Sequence, residues 1–272
     1  MTLPDPAVGL GRRELTIVAV ALVGMARFAD RDDMLVPAAL LTLAVVMAGM
    51  GLPGEDAARR PALVAMLVPA TLTGGAAAAI HLVPIGLGLV PALAVFALVF
   101  DRITALELRI LVQPGGAGDA DRSKVLMAAV ATAFVAFTGM ATIVPGGLAE
   151  PAAAAGSGAL PEGWLVALAI EDAVVALLLG YRLAALRYGT ARDAARSALT
   201  YAIVVAIAAG AVRAIDVPRL VGPAVLTLVF YLWDALHGSA PARRRDPRFL
   251  WETILLAVLA IVVVAWNMQV GQ

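Results

Sequence analysis

The chain has 272 residues, 62% of them hydrophobic and 15% charged, which is too apolar to wrap a soluble core and predicts a protein that lives in lipid. Twenty basic and twenty acidic residues give zero formal net charge; the basic ones are scattered over short connections instead of forming one stripe, which argues against a nucleic-acid partner. Without cysteine, thiolate nucleophiles, disulfides and thiolate metal sites are excluded, and two histidines, His81 and His237, are too few for a histidine metal cluster, so no metal and no cofactor is expected.

In chain order, Met1 to Gly11 is polar and proline-bearing. Arg12 and Arg13 before an apolar run mimic a signal peptide, but no small-residue cleavage pattern follows before Asp30 to Asp33, so the run reads as a retained first span. A span needs about 20 apolar residues, or somewhat fewer with snorkelling ends. The segments that qualify are Leu15 to Phe28, Met34 to Gly51, Pro61 to Ile80, Val83 to Phe100, Val125 to Val144, Trp164 to Gly180, Ala198 to Val212, Leu220 to Trp233, and Leu250 to Val270. They are uniformly apolar, not alternating at period two, so they are helices and not barrel strands. The expected fold class is all-α: a polytopic transmembrane helix bundle of about nine spans, forming a single integral membrane domain over residues 1–272.

The weakest joint is Ala62 to Phe100, interrupted only by His81 and Pro84; a tight outer turn between two spans and a re-entrant pair both fit. Asp101 to Leu111 reads either as the fourth helix emerging from the bilayer or as a short interfacial helix. Residues 113–123 and 145–163, rich in Gly, Ala and Pro, read as flexible loops.

Orientation follows from Lys and Arg in the short connections. With a cytoplasmic amino terminus, sixteen of the twenty basic residues fall inside, and only Arg27, Arg31, Arg213 and Arg219 fall outside; an odd number of spans then leaves the carboxyl terminus external, as in a bacterial cell membrane. A gapless self-alignment lays Gly24 on Gly210, Arg27 on Arg213, Asp30 on Asp216, Pro37 on Pro223, Arg59 on Arg245 and Pro61 on Pro247. A parallel repeat of spans one to three and seven to nine, residues 12–80 and 198–266, accounts for it; so does the generic punctuation of spans that end on a basic residue and open near a proline. Arg27, Arg213 and His81 share one predicted depth, either as interfacial caps or as an external cationic mouth that gathers an anionic group.

Glu171 and Asp172 are the sharpest anomaly, since both lie midway along the sixth span, where an acidic residue costs about 2.5 to 3.5 kcal/mol. Neighbours on a helix lie about 100° apart, so the two cannot point the same way. Two readings fit: a proton or cation site, or a structural hydrogen bond to another helix or subunit. Asp234 and His237 close the eighth span and Glu252 opens the ninth, where solvated helix-end roles are expected. Thr71, Thr73, Thr132, Thr138, Thr142, Tyr201, Tyr231 and Asn267 are weak markers of a pathway, because a threonine can return its hydroxyl to its own helix. Trp164, Trp233, Trp251 and Trp266 sit at span ends, as interfacial anchors do.

Enzyme signatures are lacking: there is no phosphate-cradling Gly-rich loop, no His-Glu-x-x-His, and a single lysine, Lys124, in a connecting loop. Gly156-Ser157-Gly158 has no nearby histidine, and Asp30, Asp32 and Asp33 are interleaved with arginines, so no catalytic residue is assigned. Two functions remain: a carrier or permeation protein for an ion or a small molecule with an apolar body and anionic head, or a non-catalytic subunit that anchors a larger membrane complex. The partners expected are the lipid bilayer and either other membrane subunits or copies of the same chain.

Overall fold

Where the prolines fall decides where several of the helices begin. A computed structural model describes residues 6–29, 59–113, 117–143, 162–214 and 221–238, with five scattered positions beyond them. The second expected span and most of the ninth lie outside these residues. The helices are α1 (Pro6–Ala26), α2 (Arg59–Ala65), α3 (Leu67–Ala79), α4 (Leu89–Val112), α5 (Asp119–Ile143), α6 (Glu162–Ala185), α7 (Ala191–Ala214) and α8 (Val221–Gly238), with no strand among the described residues. Pro6, Pro61, Pro69, Pro91 and Pro223 each sit in the first turn of a helix, where a missing N–H leaves no gap in the ladder. Pro69 also separates α2 from α3: its ring crowds the carbonyl of Ala65, and Met66 is the break, at φ −81° and ψ −6°.

The joint over residues 62–100 consists of α2 and α3, a turn, and α4. After a 3-10 turn at Ile80–Leu82, Val83 is extended at φ −85° and ψ 125°, as the residue before Pro84 must be, and Gly86 takes φ +120°, open to glycine alone. The helix expected as the fourth span therefore starts at Leu89, not Val83, and it continues unbroken through Asp101 to Val112, so Asp101 to Leu111 is that helix prolonged. Ala62–Leu82, Leu89–Val112, Asp119–Ile143, Ala191–Val212 and Val221–Gly238 are each long and apolar enough to cross a membrane. Helix α6 matches them in length at 24 residues but carries Glu171, Asp172 and Arg182.

Other boundaries move outward from the apolar runs. Helix α1 begins at Pro6 and takes Arg12 and Arg13 inside it. Helix α5 begins at Asp119, so the end of the expected loop 113–123 is helical: Asp119 and Asp121 stand in the first turn, where the helix dipole favours anions, and Ser123 Oγ donates to the Asp119 carbonyl at 3.1 Å. The loop 145–163 lies outside the described residues except for its last two positions, which open α6.

The chain divides into two compact units, Met1–Pro145 and Gly146–Gln272. In the first, α3 and α5 touch backbone to backbone. A Cβ on Gly75 would stand 2.5 Å from Ala136 Cα, and one on Gly139 would collide with the Gly75 carbonyl oxygen; small residues permit this approach. Gly75 lies at Ala136 and Ala78 at Gly139, so the two helices run in the same direction. Helix α4 runs against α1, since Arg12 pairs with Asp101 at 2.9 Å while Gly24 lies by Leu93 at the other end. At the Arg12 end, Arg109 pairs with Asp121, Lys124 stands 3.5 Å from Asp121 and Arg122 3.6 Å from Asp119.

The second unit is an antiparallel series of α6, α7 and α8. Gly180 on α6 seats the Tyr201 ring of α7, Tyr201 lies 5.4 Å, centroid to centroid, from Phe230 of α8, and Val212 borders Gly222. Thr190 caps α7: its Oγ1 accepts from the Asp193 amide at 3.2 Å and donates to Asp193 Oδ2 at 2.6 Å. Thr190→Ala should cost about 1 kcal/mol and Thr190→Ser much less, read as the midpoint of thermal unfolding in detergent.

Candidate functional site

Helix α6 buries a stripe of Leu168, Asp172, Val175, Ala176, Leu179 and Leu183, spaced as one face of a helix requires. Asp172, 1% exposed, belongs to that stripe; Glu171, one step around the helix, is half-buried. They are the tenth and eleventh residues of a 24-residue helix, so both stand near its middle. Both residues take part in interactions inside the protein.

Nearer the α6–α7 connection lies a second polar centre, joining all three helices of the unit. Arg187 donates from Nη2 to both oxygens of Asp234, at 2.7 and 2.6 Å, and from Nη1 to the Tyr201 hydroxyl at 3.0 Å. Tyr201 in turn donates to Asp234 Oδ1 at 2.6 Å. Burial would lower the proton affinity of the Arg187 guanidinium, and the neighbouring Asp234 more than offsets it, holding the group above its ordinary range. Gly238 gives the guanidinium its room, for a Cβ there would strike it. Beside this centre Trp233 Nε1 donates to Thr200 Oγ1 at 3.0 Å and the indole stacks on His237 at 3.7 Å, so Trp233 ties α8 to α7.

Asp234 corrects the expectation of a solvated helix-end acid: it is 1% exposed and fully engaged. Apolar runs set the expected span end near Trp233, yet Pro223, Leu226, Thr227, Phe230 and Asp234 form one buried face, a spacing legible in the sequence. What the sequence hides is the partner, Arg187, 47 positions away. His237 is exposed, as expected of a helix end. Glu107 of α4, also 1% exposed, is a third buried acid, one that the apolar pattern did not single out.

Arg27 and His81 come to the same end of the first unit. Arg27 Nε donates to the Val83 carbonyl at 3.1 Å, two residues from the half-buried His81. The side chain of Arg213 lies outside the described residues, as do Asp30, Asp32, Asp33 and Ser157 and, of the positions that carry the repeat, Pro37, Asp216 and Arg245. Thr73, Thr138 and Thr142 return their hydroxyls to the carbonyls of Pro69, Phe134 and Thr138. Among the described residues no group of three His, Asp or Glu could hold a metal ion. No family model, curated protein or solved structure matches the chain.

Proposed function

We propose that the chain is a multi-pass integral membrane protein of the cell membrane, a carrier or permeation protein for an ion or a small molecule with an apolar body and anionic head, in which Glu171 and Asp172 exchange a proton or cation. The observation that carries this reading is Asp172: a carboxyl on the packed face of α6, near the middle of a helix otherwise lined there by aliphatic side chains. An acid at that depth in a membrane costs about 2.5 to 3.5 kcal/mol on insertion. The Arg187–Asp234 centre is a separate one, since Gly180, which marks the level of Tyr201, is about 12 Å further along α6 at 1.5 Å per residue. On this reading the outer arginines Arg27 and Arg213, with His81, gather the anionic end of the solute.

Nine spans with the amino terminus inside fit the same reading. Support comes from α1 and α3, which both run opposite to α4, so a returning crossing between them is the simplest path for the expected second span. In the first unit Arg12, Arg109, Arg122 and Lys124 gather at one end and Arg27 at the other, the bias of a positive-inside arrangement.

Reconstituting the full chain in vesicles with a trapped pH-sensitive dye tests the mechanism. The unmodified protein should carry proton-linked flux, and Glu171→Gln with Asp172→Asn should lower it at least about a hundredfold, the lower end of what a positioned proton-transfer group contributes. Equal flux in the variant would remove these carboxyls from the mechanism. No flux from either protein, with fixed partners co-purifying, would favour the anchoring-subunit reading, which draws on how few polar side chains the described helices bury.

A further inference from the structure

Helix α7 has two unlike faces. Ala194, Ala198, Tyr201, Val205 and Ala209 are buried and meet α6 and α8. On the opposite side Arg192, Arg196, Leu199, Ile203, Ile207 and Gly210 are exposed, at intervals of three or four residues that place them within one narrow arc of the helix. Leu199, Ile203 and Ile207 are 54%, 49% and 68% exposed. The stripe is therefore cationic for its first turns and apolar for the rest.

Its chemistry is that of a phospholipid laid along a helix. Two guanidiniums one turn apart match an anionic phosphodiester, for which arginine supplies paired donors. Below them the aliphatic side chains run to Gly210, where even an added Cβ would meet no atom within 4 Å, which leaves open space at the end of the track. From Arg196 to Gly210 is about 21 Å at 1.5 Å per residue, enough for an acyl chain inside one leaflet of a hydrocarbon core about 30 Å thick. Among the described residues neither arginine makes an ion pair, and Asp193, the one acid nearby on α7, is turned to Thr190. Three other exposed basic positions differ in being paired, since Arg109 and Lys124 meet Asp121 and Arg122 lies by Asp119; Arg13 and Arg102 are exposed as well, but neither has a second basic residue three or four positions away on its helix.

We infer that the exposed face of α7 binds one anionic phospholipid, its phosphate on Arg192 and Arg196 and an acyl chain along Leu199, Ile203 and Ile207. The site needs only that the chain spans a bilayer and stands apart from the transport reading. Native mass spectrometry of the full chain in detergent, titrated with phosphatidylglycerol or with phosphatidylcholine of the same acyl chains, tests it. The unmodified protein should retain phosphatidylglycerol in preference, and Arg192→Ala with Arg196→Ala should weaken that retention roughly thirtyfold, at about fivefold per arginine near the membrane surface. Arg192→Lys with Arg196→Lys should keep most of it. Equal retention of the two lipids by the unmodified protein overturns the inference whether or not any variant folds. Displacement by millimolar inorganic phosphate also overturns it, since the site would then hold a free anion and not a lipid.

Discussion

Asp234→Ala should lower the stability of the second unit by about 3 to 5 kcal/mol, the usual cost of removing one partner from a buried ion pair. The loss comes less from the attraction forfeited than from what stays behind, because Arg187 keeps its charge and Tyr201 its hydroxyl in a place built for a carboxylate. The guanidinium is wedged against Gly238, so it has little freedom to swing toward water. Unfolding of the full chain in mixed detergent, followed by the fluorescence of its four tryptophans, measures the effect. Arg187→Met with Tyr201→Phe and Asp234→Leu should recover most of the loss, since apolar replacement of a whole buried network is often neutral or better. A cost below about 1 kcal/mol for Asp234→Ala would mean that the centre is solvated, as surface pairs are.

Gly139→Val should be comparably severe. A Cβ at Gly139 already collides with the Gly75 carbonyl and stands 2.9 Å from the Ala78 methyl, and two further methyls would force α3 and α5 apart. Overpacking costs about 1 to 3 kcal/mol where a core can adjust; here the obstacle is backbone, so the upper end or a failure to fold is expected, with Gly139→Ala in between. Gly210→Ala is the control, because a methyl there meets no other atom and alanine gains up to about 1 kcal/mol over glycine in a helix interior. Similar losses for the two positions would show that the α3–α5 contact is not close in the membrane.

Helix type and approximate position were legible because both rest on local facts: long apolar runs without period-two alternation, and prolines that open helices. The ends were less so. Hydropathy marks where a helix meets polar surroundings, whereas helices end where capping or proline geometry stops them, so α5 reaches back to Asp119 and α4 runs on to Val112. For the candidate site, Glu171 and Asp172 stood out because a charge amid aliphatic residues needs no partner to be noticed. That only Asp172 lies on the packed face became clear from its alignment with Leu168, Val175 and Leu179. The Arg187–Tyr201–Asp234 centre was invisible for the opposite reason: Arg187 and Asp234 sit near polar helix ends, where a charge is unremarked, a tyrosine within an apolar helix is equally ordinary, and only the pairing of α7 with α8 brings them together.

The contact between α3 and α5 also limits how the first unit can deform. Two helices meshed through glycine and alanine, with main-chain atoms as the teeth, cannot roll about their own axes without disengaging. A swing of this unit would have to carry the pair as one stiff strut, with the pivot at softer points such as Met66 or the Pro84–Gly88 corner.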